Sequence, residues 1–129
     1  TEDPTISRMT IVAEGDEYVI EQIEKQLNKL IPVIKVKTLE PSETIARTLS
    51  LIKVAAGNGK RAEVMRISEL MGAKIVDVTK TTLTLEFSDT VERTETLENL
   101  LKPYGIKEIV RTGIIALEKG PNATRPSKK

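Results

Sequence analysis

The chain has 129 residues, with 20 basic against 19 acidic side chains and a net charge of +1. That balance gives no electrostatic case for nucleic acid or an anionic membrane as partner. It has neither Cys nor His, which excludes disulfides, thiol nucleophiles and thiolate zinc sites and leaves any catalysis to Asp, Glu, Lys or Ser.

Asp3-Pro4 reads as a turn. Ile6 to Ala13 alternates in hydropathy and predicts a strand. Glu14-Gly15-Asp16 forms the next turn, with Asp16 suited to cap a helix. Val19, Ile20, Ile23, Leu27, Leu30 and Ile31 recur at helical spacing, so an amphipathic helix is expected over Asp16 to Leu30, ended by Pro32. Its apolar stripe is expected to cover its own sheet. Val33 to Thr38 predicts a strand. Residues 41–47, with Pro41 and Ser42, lack sustained periodicity and read as a linker.

Thr48 to Ala56 predicts the next strand. Gly57-Asn58-Gly59 turns into a helix over Lys60 to Met71, with Ala62, Met65, Ile67, Leu70 and Met71 expected on its buried side. Gly72 stands where a helix C′ glycine belongs. Lys74 to Thr79 and Thr82 to Ser88 predict two strands joined by a short polar link. Leu83, Leu85 and Phe87 share one face of the second. Asp89 or Thr90 is expected to cap a last helix carrying Val91, Thr94, Leu97, Leu100 and Leu101, stopped by Pro103. Gly105 to Leu117 supplies the final strand, with a break expected at Gly113. From Gly120 the composition predicts a disordered tail.

The order is therefore strand, helix, strand, then strand, helix, strand, strand, helix, strand. The second run is the βαββαβ ferredoxin-like pattern, and the first matches the back half of the same pattern. The expected fold is α+β with two ferredoxin-like modules: a partial one over 1–40, a linker over 41–47, a complete C-terminal one over 48–119 and a tail over 120–129. The chain starts at Thr1, not Met, and reads as a processed or truncated product. No run of 18 apolar residues occurs and no signal-peptide pattern opens the chain. A chain of this size buries roughly 65% of its unfolded surface, so two half-size modules are expected to lean on each other or on partner chains.

Few residues carry chemistry. Gly57-Asn58-Gly59-Lys60 before a helix could cradle a phosphate on backbone N–H groups. It lacks the Walker and dinucleotide spacings, and a plain strand-to-helix turn is the first reading. Glu2 with Asp3, and Glu14 with Asp16, are close carboxylates that fit solvated turns and a helix cap better than a cation loop. Asp77, within Ile75-Val76-Asp77-Val78, is either on an exposed strand face or paired with a partner chain. Arg111 fits a rim salt bridge or a subunit interface, with Gly113 nearby permitting close backbone approach.

Ser7-Arg8-Met9-Thr10-Ile11-Val12, then Glu14-Gly15-Asp16, then Glu21 to Leu30 closely resemble the small regulatory subunit of acetohydroxyacid synthase (acetolactate synthase). Leu51-Ile52-Lys53-Val54, Lys74 to Val78 and Gly105 to Gly113 resemble that family's C-terminal domain, in order and spacing. The resemblance covers nearly all of Thr1 to Gly120. It implies an ACT-type N-terminal module and a second ferredoxin-like domain, without catalysis in this chain. It implies a catalytic partner subunit that uses thiamine diphosphate, flavin (FAD) and magnesium, whose activity this subunit raises. It further implies feedback inhibition by valine or another branched-chain amino acid, bound where ACT modules pair in a homodimer.

The family's first strand, effector loop, first helix and second strand would precede Thr1, so no effector-binding residue is assigned. The localisation implied is the cytoplasm of a bacterium or archaeon, or an organelle of a plant or fungus. Alternatives are a stand-alone ACT-type amino-acid sensor, a metal-responsive regulator, which would need His and Cys, and an enzyme, which would need a carboxylate or lysine constellation not evident here.

Overall fold

The computed structural model describes residues 10–29 and 37–123. In chain order it contains α1 (Glu17–Asn28), a 3₁₀ turn (Pro41–Glu43), β1 (Thr44–Ala55), α2 (Arg61–Met71), β2 (Lys74–Val78), β3 (Thr82–Asp89), α3 (Val91–Leu101), a second 3₁₀ turn (Lys102–Tyr104), β4 (Ile106–Arg111) and β5 (Ile115–Glu118). The described residues fall into two compact units. One runs to Ala46 and resumes at Ala116; the other is Arg47–Ile115.

The second unit is built on a sheet of order β2-β3-β1-β4. Every neighbouring pair along that path is antiparallel. With two helices in the connections, this is the ferredoxin-like arrangement expected from the element order. Alternation along β1 and β3 sends Ile52, Val54, Leu83, Leu85 and Phe87 to one face, where they are buried with Val64 of α2 and Leu97 and Leu101 of α3. Fully burying each of the larger side chains contributes about 1.5–3 kcal/mol.

Local signals set the element ends. Thr90 Oγ1 accepts from Arg93 N at 3.1 Å and caps α3. Gly72, at φ 81°, closes α2 in the left-handed conformation that favours glycine. Buried Ser68 and Thr94 satisfy their hydroxyls by donating to the carbonyls one turn back, Val64 O and Thr90 O, both at 2.8 Å. The final strand is interrupted between Arg111 and Ile115, as the glycine at 113 predicted.

In the first unit, Asp16 caps α1 by accepting from Val19 N at 3.0 Å. Lys37 pairs with Glu118 at 2.5 Å, and the Thr38 hydroxyl bonds the Glu24 carboxylate. β5 pairs with β1, and Lys119 N donates to Glu43 O at 2.8 Å.

Several expectations need correction. Thr10 to Ala13 is not strand, and neither are Lys37 and Thr38. The remainder of those two expected strands, and Leu30 to Pro32, lie outside the described residues. β1 starts at Thr44, inside the stretch read as a linker, because Pro41 only opens a 3₁₀ turn and β-branched Thr44 and Ile45 then extend the strand. The buried side of α2 is Val64 and Ser68, with Ile67 and Met71 packed beside them. Ala62, Met65 and Leu70, expected inside, are exposed, Leu70 to 78%.

Candidate functional site

Both helices of the second unit cover one face of its sheet. The cross-strand register defines the other face. One row across it runs Lys74, Glu86, Leu51, Val110; the next runs Asp77, Thr84, Lys53, Glu108. Leu49 extends the apolar centre along β1. Leu49, Leu51 and Val110 are 40%, 43% and 56% exposed. Their burial by another surface would recover apolar stabilisation that folding alone leaves unused. Around them, Lys74 faces Glu86 and Lys53 faces Glu108 across neighbouring strands. Such a patch, apolar at its centre with mixed charge around it, has the composition of a protein-contact surface.

Of the two residues singled out in the sequence, Asp77 lies on this uncovered face, exposed, opposite Thr84 on edge strand β2. A register shift between Ile75 and Asp77 places it there. Arg111 ends β4, at the other edge, and opposes Ser50 on the helix-covered face. Its Nη2 donates to both carboxylate oxygens of Glu98 on α3, at 3.0 and 2.8 Å. The Glu98 side chain is 13% exposed and that of Arg111 41%, so the pair sits at the rim, where such contacts contribute under ~1 kcal/mol. The fold thus sends the two residues to opposite edges and opposite faces. Among the described residues a Cβ added at Gly113 would meet nothing within 4 Å, so that glycine serves no close contact with them.

Behind Arg111, the Thr112 hydroxyl accepts from Leu49 N at 3.0 Å, and Thr48 Oγ1 donates to Thr112 O at 2.9 Å. These bonds pin the end of β4 to β1. Ser50 is buried, and among the described residues its hydroxyl has no hydrogen-bond partner. At the start of α3, burial alone would push the Asp89 carboxyl up. The Thr90 N–H, the Arg93 guanidinium and the charge of Arg47 outweigh it and hold the group below its usual value. Arg93 also donates to Met71 O at 2.8 Å, tying α3 to the end of α2.

Among the described residues no group of three or more His, Cys, Asp or Glu side chains could hold a metal ion, and no helix is long and apolar enough to cross a membrane. The described residues form concavities at two places of interest. One lies along α1, lined by Tyr18, Val19, Gln22, Ile23, Gln26 and Leu27. The other lies at the β1–α2 turn.

The uncovered sheet face is marked in the sequence by hydropathy and not by reactive residues. Its signal was in β1: Leu49, Leu51, Ile52 and Val54 put apolar side chains on both faces of one strand, where a sheet open to water on one side should alternate.

Fold and surface together define a small α+β protein of ferredoxin-like architecture whose second unit leaves one sheet face uncovered. A family model described as the small subunit of acetolactate synthase matches residues 47–120, and one described as the ACT domain of the acetohydroxyacid synthase small subunit matches residues 1–35. The probable acetolactate synthase small subunit of Methanothermobacter thermautotrophicus is 46% identical over 121 residues, covering 93% of this chain and 72% of that protein. The acetolactate synthase small subunit of Mycolicibacterium smegmatis is 42% identical over 128 residues, covering 99% of this chain and 75% of that one. The crystal structure of the small subunit from Thermotoga maritima superposes with a TM-score of 0.78 at 34% identity, covering 84% of this chain and 68% of that chain. The chain belongs to the acetolactate synthase small-subunit family.

Proposed function

We propose that this chain is a non-catalytic regulatory subunit. It binds a separate acetolactate synthase catalytic subunit, raises its activity and carries feedback inhibition by a branched-chain amino acid, valine first among them. The observation that carries this reading is the 46% identity to a probable acetolactate synthase small subunit over 93% of the chain. A small subunit implies a larger partner, and thiamine diphosphate, FAD and magnesium belong to that partner's chemistry. Homodimerisation through the N-terminal modules and a cytoplasmic location complete the reading; the relatives named above are bacterial and archaeal.

Regulation of this kind needs only differential affinity. A subunit that binds the active conformation of its partner more tightly shifts the population toward it, and an effector that weakens that preference reverses the shift. A coupling of about 1–3 kcal/mol suffices for a 5–150-fold effect. The uncovered sheet face, with Leu51 and Val110 at its centre and Asp77 at its margin, is the surface we assign to subunit contact. Arg111, already engaged by Glu98, is assigned a supporting place at the opposite edge. The test is to add the chain to the catalytic subunit from the same source and follow acetolactate formation with and without valine. Binding with a raised rate is expected; a rate and sedimentation profile unchanged by the chain would overturn the proposal.

A further inference from the structure

At one end of the second unit's sheet, three separate segments meet around a half-open depression of about 290 Å³. The β1–α2 turn contributes Gly57, Asn58 and Lys60, the β2–β3 hairpin contributes Lys80 and Thr81, the start of β4 contributes Lys107, and Ala55 completes the lining. No ion pair formed by the described residues involves any of these lysines. Glu63, in the first turn of α2, Asp77, three residues before Lys80, and Glu108, beside Lys107, are the carboxylates nearest them in sequence, and none takes part in an ion pair among the described residues.

Three like charges around one depression, none held in an ion pair among the described residues, repel one another in a chain whose total is only +1. An anion in the depression relieves that repulsion. The surroundings favour one further: α2 starts at the rim with no side-chain hydrogen bond capping it, so its first N–H groups face the depression's end of the helix with only the Glu63 charge, one turn in, set against the dipole. The turn and the hairpin lie close together. A Cβ placed on Gly57 would come 3.9 Å from Thr81 Cα and 4.0 Å from Lys80 O, so one small ligand spans both.

We propose that this depression binds a phosphate-class oxyanion of one or two phosphoryl groups, held by Lys60, Lys80 and Lys107. Lysine suits such a ligand as a compact, strongly hydrated point charge. The size lies at the small end of ligand pockets. The lining has no aromatic side chain, so nothing there stacks a nucleobase, and a small phosphate fits it better than a nucleotide. This extends the Gly57–Lys60 turn, read from sequence as a plain connection, into one wall of a site completed by residues distant in the chain.

The test is a titration of the chain with phosphate and with pyrophosphate at constant ionic strength, followed by amide chemical shifts. Saturable shifts are expected from Gly57 to Ala62 and at Thr81, with pyrophosphate binding more tightly. Lys80→Gln and Lys107→Gln should each weaken binding by about three- to tenfold, as removal of a charge-assisted contact does. Lys74→Gln, the same charge change at the far end of β2, should leave affinity within about twofold. Non-saturating shifts, shifts reproduced by chloride at equal ionic strength, or equal losses in Lys74→Gln and the depression variants would overturn the assignment. No catalytic partner is present in this experiment, so its outcome is independent of the regulatory reading.

Discussion

Asp89 links strand, cap and helix through one carboxylate. It accepts from Thr90 N at 2.7 Å and from Arg93 Nε at 2.9 Å, and these contacts lower its pKa despite the opposing effect of burial. The sign of the linkage follows. A carboxyl whose folded pKa lies below its unfolded value near ~3.9 adds stability above that value, and the contribution disappears as pH falls through the folded pKa. Asp89→Asn should therefore destabilise the chain at pH 7 by about 0.5–2 kcal/mol, and the difference from wild type should shrink below about pH 4. Urea unfolding of both proteins at pH 7 and pH 3 checks this; a difference that stays constant or grows on acidification would show that the charge is not the source.

Helix α2 shows what periodicity can and cannot decide. Apolar residues stand at Ala62, Val64, Met65, Ile67, Leu70 and Met71, almost all round the cylinder, so sequence alone fits more than one buried face. Packing against α3 and β2 selects Val64, Ile67, Ser68 and Met71. The hydroxyl of Ser68 hides its membership of the core because it is satisfied within its own helix. Where local chemistry is specific, the sequence is legible: Asp16, Thr90 and Gly72 end their helices as expected. Leu70→Gln should change stability by no more than about 0.5 kcal/mol, whereas Leu97→Ala, at a fully buried position of α3, should cost about 2–5 kcal/mol. Denaturant midpoints of the two variants decide between the phases, and a large loss for Leu70→Gln would restore the misread one.

At the scale of the molecule, the contact surface and the lysine depression were illegible in sequence for the same reason. Each gathers residues from three or four strands or turns: the antiparallel register puts Leu51 beside Val110, and the sheet topology brings Lys80 and Lys107 to one depression. The order of elements was legible because each carries its own period and breaker. The uncovered face gives a direct consequence: Leu51→Lys with Val110→Lys should leave far-UV dichroism unchanged while reducing association with other subunits by at least tenfold, a loss of about 1.4 kcal/mol or more. Unchanged association, read by sedimentation, would remove that face from the assembly. The central claim is tested most directly by measuring acetolactate formation by the catalytic subunit of the same source as this chain is added. A saturable rise in rate accompanied by co-sedimentation is the result expected. A rate that stays flat, with the two proteins sedimenting separately, would contradict it.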